Sequence, residues 1–461
     1  MTPASPSGPH NTPLSNAAIA EMIERDTNLQ ESRKRTTRPL TKLRWAVVDR
    51  ARFEAMITDL RDYNDGLYCL LSSVERRRLR QALAPELIPG QNQADVIYNL
   101  SAASAEYADL ASVAVLAAKR LRLQATGTLA SLDAQRRLQI EGHRVVFEPQ
   151  ADHPKTPMHQ DRAMASYAET PGAAPRVVLV EWKRYDKQLG EAIKQQQLDR
   201  LRELAVLLNI DYKPPSLQVP HCLGFVADEF HSRIGLVFEY GPNTLPWSLH
   251  DALISITIPN VGDRFRLAYE LCLSVCILHS AGWLHKGIRS ENIIFSSQAP
   301  RASAVNVTAP QLNNPLFLGF EYARPDAPGA FSETIDSSSP QALLYRHPHC
   351  VDATGRPRSR FETTHDVYSL GVVLLEIGLW RSVAELWSKG GYNGHPNYQF
   401  VGHLRDHYAS QLGGKMGKIY MEAVMACLSG QYTNVIGPAE STPAPEKFYW
   451  AVVNPLSKLV A

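Results

Sequence analysis

The chain has 461 residues, a net charge of +2, and 44% hydrophobic and 20% charged residues. This composition excludes a wholly disordered chain and a protein that binds nucleic acid through global basic charge, and the length predicts two or three domains. No stretch reaches the roughly 18 uninterrupted apolar residues of a membrane span, and the N-terminus, Met1-Thr-Pro-Ala-Ser-Pro-Ser-Gly-Pro, lacks the apolar core of a secretory signal.

In chain order, residues 1–38 are rich in Pro, Ser, Thr and Asn and read as a disordered segment. From Leu40 to Leu71, apolar residues such as Leu43, Val47, Phe53, Ile57, Leu60 and Leu67 recur at helical spacing. A second helix is expected from Asn92 to Leu123, and together these predict an α-helical module over 39–125. Charge is concentrated between Arg33 and Arg80, including Arg76-Arg77-Arg78-Leu79-Arg80. That run reads first as a solvated helix face or basic arm, and second as a contact for anionic lipid or a partner protein.

Residues 126–170 form a linker with a strand or hairpin at 138–147, and 150–175 reads as loop. A β-rich run follows at Arg176–Lys183, then a helix at 189–208 and strands at 223–227 and 234–239. From Arg264 onward the pattern is mainly helical, and 436–461 reads as a C-terminal tail. The six cysteines are scattered without a C-x-x-C pair. They read as reduced core thiols of an intracellular, cytoplasmic protein.

Four short runs carry the chemistry: Val180-Glu-Trp-Lys183, His285-Lys-Gly-Ile-Arg-Ser-Glu-Asn292, Gly319-Phe-Glu-Tyr-Ala-Arg324 and His365-Asp-Val-Tyr-Ser-Leu-Gly371. Their order and spacing resemble those of eukaryotic protein kinases. The resemblance covers about 170–435 and implies an α+β, bilobal protein-kinase-like fold at 171–435, with a β-rich small lobe and a helical large lobe after the α-helical module. It implies ATP and Mg²⁺ as cofactors, with Lys183 on the phosphates, Glu239 in the hinge-like Phe238-Glu-Tyr-Gly-Pro, and Asn292 on the metal. It gives Phe320, Asp366 and Gly371 structural roles, Asp366 capping the loop backbone.

The departures from that pattern are chemical. Gly287 stands where the family has its proton-accepting aspartate, between His285 and Arg289 in a degenerate catalytic loop. Gly319 replaces the metal-binding aspartate, leaving Asn292 as the one inherited ligand, a poor metal site alone. Arg200 falls at the position of the helix glutamate, and no glycine-rich loop precedes Lys183. Glu181 replaces the alanine that packs on adenine and shares a strand face with Lys183, so it either repels phosphates or pairs with that lysine.

The same runs resemble a group of fungal kinase-like proteins carrying an N-terminal HeLo-type domain, also called a prion-inhibition and propagation domain. Lys42–Phe53 and Leu60–Leu67 resemble its later half, which implies a shortened version of the domain. Three readings follow: a pseudokinase that scaffolds signalling or fungal self/non-self and cell-death responses through protein partners; a residually active Ser/Thr-type kinase using Lys183 and Asn292; and a membrane-perturbing helical effector.

Overall fold

The computed structural model describes residues 50–125, 136–147, 161–170, 172–185, 191–209, 213–214, 216–241, 244–298, 312–327, 340–350, 360–392, 398–431 and 442–460. The expected disordered segment 1–38 lies outside them. The chain divides into two compact units, the first ending at Arg76 and the second running from Arg77 to Ala461.

In the first unit, α1 (Arg50–Leu70) buries none of its residues. Phe53, Met56, Leu60, Tyr63, Leu67 and Leu70 repeat at alternating steps of three and four and are all exposed. The next helix, α2 (Ser73–Leu87), starts at a capping box. The Ser72 hydroxyl accepts from Glu75 N at 3.2 Å while Ser72 N donates to the Glu75 carboxylate at 2.8 Å.

The second unit is a mixed α+β body that begins inside the expected helical module. Gln81, Ala82 and Ala84 of α2 are buried, as are Ile97 of α3 (Ala94–Ala103) and Val113, Ala114, Ala117 and Ala118 of α4 (Ala108–Ala125). The expected single helix from Asn92 to Leu123 is therefore two. The serine hydroxyls at 101 and 104 bond back to Tyr98 O and Leu100 O, and the chain turns at Ser104 as Tyr107 N reaches Ser104 O.

Strands from the expected linker join the main sheet. Its order is β1-β5-β6-β4-β3-β2, with β1 (Gln139–Ile140), β2 (Val145–Phe147), β3 (Arg162–Tyr167), β4 (Arg176–Arg184), β5 (Cys222–Asp228) and β6 (Arg233–Glu239). Only β1–β5 is parallel. The expected loop at 150–175 thus contains a strand. The reason lies in β4, buried from Val178 to Lys183: a strand buried along its length is central and must be paired on both edges. In register, Glu181 faces Arg162 on β3 and Leu236 on β6.

Helix α5 (Glu191–Leu208) packs on β5. Next come β7 (Thr244–Ser248), α6 (Leu249–Ser255), α7 (Val261–Ser280), β8 (Trp283–Leu284), β9 (Ile293–Gln298), β10 (Leu316–Phe317) and β11 (Arg324–Pro325). Helix α8 (Thr363–Leu379) is buried continuously from Asp366 onward. It meets α9 (Lys418–Ser429) at Gly371, where an added Cβ would stand 2.7 Å from the Cys427 Cβ.

The expected tail is part of this core. Residues 444–457 are helical, and Phe448, Tyr449, Val452, Val453 and Leu456 are buried at helical spacing. Among the described residues no single helix is long and apolar enough to cross a membrane. Five cysteines are buried and one, Cys69, is exposed, which corrects the expectation of six core thiols.

Candidate functional site

Asp366, on the first turn of α8, is fully buried and organises the loop after β8. Its carboxylate accepts from His285 N at 2.7 Å and from Lys286 N at 2.8 Å, and lies 3.1 Å from His279 Nε2. Burial pushes this carboxyl up, but the His279 contact and the His285 donor outweigh it and hold the group below its ordinary range. The clamp sustains a strained turn in which Lys286 has φ +62°. The buried His285 ring packs tilted against Phe320 at 4.5 Å between centroids, and its Nδ1 accepts from Gly287 N at 3.1 Å. Phe320 is itself buried, beneath the loop. Arg289 is half-buried in extended backbone, just before the tight turn Ser290–Asn292.

The two glycines at the expected acid positions face each other. A Cβ on Gly287 would lie 2.4 Å from the Gly319 carbonyl oxygen. Gly319 has φ +84°, and a Cβ there would lie 2.0 Å from the Asn292 Nδ2. Any side chain at 287 meets backbone, and any at 319 meets both the asparagine and a left-handed conformation. The space for the two acids is closed as well as unfilled.

Around this contact runs a buried polar network. Glu181 accepts from Gly319 N and Phe320 N, both at 2.8 Å, and lies 3.4 Å from Arg162 Nε. Arg162 also donates to Glu291 O at 2.8 Å and to Asn292 Oδ1 at 2.5 Å. Asn292 completes the circuit by donating Nδ2 to Gly287 O at 2.7 Å. A charged pair is tolerated at this depth because its oxygens and N–H groups are matched.

Sequence reasoning placed Glu181 on one strand face with Lys183, and Gly287 with Asn292 in one loop, and missed Arg162, which lay in the segment read as loop. The Lys183 ammonium sits 4.4 Å from the Tyr322 ring centroid, a cation–π distance. Glu239 is outside the network: it ends β6 opposite Val178, is exposed, and reaches Arg176 at 3.7 Å. Arg200 is buried on α5.

These residues do not fit Mg²⁺. The amide oxygen of Asn292 is engaged by a guanidinium, which places positive charge where a divalent cation would need to sit. Among the described residues no group of three or more His, Cys, Asp or Glu side chains is arranged to hold a metal.

A second buried network adjoins the loop. Tyr345 donates to Glu376 Oε1 at 2.8 Å, so the Ser290 hydroxyl, 2.7 Å from the tyrosine oxygen, donates to Tyr345. Val383 N also donates to Glu376, at 2.7 Å. Burial pushes the Glu376 carboxyl up to about 8, from an ordinary 4.5. The folded state keeps this proton after the unfolded chain has lost it, so stability falls as pH rises from about 4.5 to about 8. Glu376→Gln keeps the acceptor and removes the titration. Denaturant melts across that window should flatten, and at its upper end the variant should exceed the parent by a few kcal/mol, since each tenfold difference in proton affinity between folded and unfolded chain is worth roughly 1.4 kcal/mol. An unchanged pH profile would refute the assignment.

A family model described as HeLo, prion-inhibition and propagation, matches residues 9–102. The match starts upstream of the helical pattern at Leu40 and ends within α3, before the expected limit of 125. It also crosses the Arg76/Arg77 border between the two compact units.

Proposed function

We propose that residues 171–435 are a catalytically silent protein-kinase-like domain of bilobal design, joined to a HeLo-type helical region, and that the protein is a cytoplasmic regulatory scaffold in signalling or cell-death responses that acts through protein partners. The observation that carries this reading is the Arg162 guanidinium bonded to Asn292 and beside Glu181. It fills with the protein's own charges the place where the kinase resemblance puts a metal nucleotide. Two features support the same reading. Phosphoryl transfer depends on positioning and charge stabilisation at the transferred group, and Gly287 and Gly319 supply neither. The HeLo match supports the cell-death part of the reading.

Titration of the full chain with ATP, with and without Mg²⁺, should leave its melting temperature unchanged, and a phosphoryl-transfer assay should show no turnover. Removing the carboxylate and guanidinium together, as Glu181→Ala with Arg162→Ala, should raise nucleotide affinity at least tenfold by opening the site. Mg²⁺-dependent stabilisation of the parent protein with turnover lost in Lys183→Ala would overturn the proposal in favour of an active kinase.

A second reading, a membrane-perturbing helical effector, draws on the exposed apolar seam of α1. Against an electrostatic membrane attraction, α1 carries Arg50, Arg52 and Arg61 but also Glu54, Asp59, Asp62 and Asp65, which favours a protein partner over an anionic lipid surface.

A further inference from the structure

Away from the network around Asn292, the second unit holds a cleft of about 390 Å³. Its lining includes Pro89, in the turn after α2, Leu121 of α4, and Pro443 and Pro445. Arg120 and His279 line it as well. The half-buried Arg120 guanidinium lies flat against Gly282, where an added Cβ would come within 2.7 Å of Nε. Its Nη1 donates to Gln124 at 3.0 Å, whereas its buried Nε has no hydrogen-bond partner among the described residues. Burial lowers the pKa of this arginine, opposed by the Asp326 carboxylate. Asp326 also lines the cleft, but it is paired with Arg360 at 3.0 Å.

We propose that this cleft binds a small organic carboxylate, its head on Arg120 and its apolar body against the lining prolines. Among the described residues, Arg120 is the one arginine or lysine lining the cleft, and the acid there, Asp326, is already paired with Arg360, so an anion is the charged ligand the cleft favours. The proline, leucine and alanine residues in the lining favour a compact apolar body over a hydrated inorganic ion. The volume is ample for a ring of six carbons with its carboxylate. His279 lines the cleft and also contacts Asp366, so an occupant beside His279 lies one side chain away from the group that holds His285 and Lys286 N–H. This inference does not rest on the pseudokinase reading, since no residue of the Asn292 network takes part.

The test uses the full chain and benzoate as the probe, followed by saturation-transfer NMR. A fragment of this size should bind with a Kd of roughly 1 mM. Benzamide, of the same shape without the charge, should bind at least tenfold more weakly, and inorganic phosphate should displace benzoate poorly. Arg120→Met should weaken benzoate at least tenfold while leaving the melting temperature within about 1 °C, a surface-like change. Absence of saturation up to about 10 mM, well above that expected Kd, would overturn the proposal. Equal binding of benzamide and benzoate, or of phosphate and benzoate, would do the same. Should Arg120→Met disturb folding, the comparison of the three probes on the parent protein decides the matter alone.

Discussion

Gly287→Asp, the substitution that restores the expected proton acceptor, should give a less stable protein and no phosphoryl transfer. The clash begins at Cβ, 2.4 Å from the Gly319 carbonyl oxygen, so relief requires moving backbone on one side or the other. Overpacking of this kind costs roughly 1–3 kcal/mol, and an aspartate pressed against a carbonyl adds electrostatic repulsion. Gly287→Ala should therefore lose most of the same stability, which separates steric from charge effects. Gly319→Asp should be worse than either, because a left-handed backbone adds about 1 kcal/mol or more to a contact of 2.0 Å with Asn292. Denaturant melts of the three variants give the ranking, and a radiolabelled phosphate assay gives the activity. A Gly287→Asp protein with parental stability, or with Mg²⁺-dependent turnover, would show that the space is open and the silence reversible.

The second large effect belongs to Asp366. Asp366→Ala strips the acceptor from two buried N–H groups at 2.7 and 2.8 Å and from His279 at 3.1 Å. Losing one partner of a buried charged network costs roughly 3–5 kcal/mol. The left-handed Lys286, at φ +62°, then keeps only holds such as the Arg346 donor on its carbonyl oxygen at 2.6 Å, so the turn should loosen as well. Asp366→Asn keeps one acceptor oxygen and should lose about half as much. The pH dependence separates the two causes. The folded-state pKa lies below the ordinary 3.8, so the carboxylate contributes stability above that value and loses it as pH falls through the folded pKa. Asp366→Asn should lack this part of the acid transition. An asparagine variant as stable as the parent at neutral pH would mean that the carboxylate does not organise the loop.

Much of the architecture was legible because periodicity and burial agreed. The strands at 222–228 and 233–239 and the helix over 261–280 follow the pattern of their apolar residues. The strand face shared by Glu181 and Lys183 follows from alternation alone. Arg162 was not legible, because Arg-Ala-Met-Ala-Ser-Tyr alternates weakly and sits in a segment rich in Pro, His and Asp. The signal that could have found it lies elsewhere. A strand such as Val177–Trp182 is too apolar for an edge, so a partner had to exist on its other side. The closing helices at 444–457 were readable from Phe448, Val452 and Leu456 at steps of four and were hidden by the Pro- and Thr-rich run before them. The break at Ser104 has no Gly or Pro to announce it, and hydroxyl bonds to the preceding turn cause it.

The border at Arg76/Arg77 has a consequence for heredity. The Gln81 amide oxygen accepts from the Tyr269 hydroxyl at 2.8 Å, and Arg78 O accepts from Tyr449. Two residues counted in the HeLo match are thus held by one in mid-chain, Tyr269, and one near the far end, Tyr449. A lesion in the C-terminal helices will surface as a fault of the N-terminal region, and second-site suppressors of a lesion at Gln81 belong around Tyr269. Recombination that exchanged residues 9–102 alone between alleles would set Arg78 and Gln81 of one allele against Tyr449 and Tyr269 of the other.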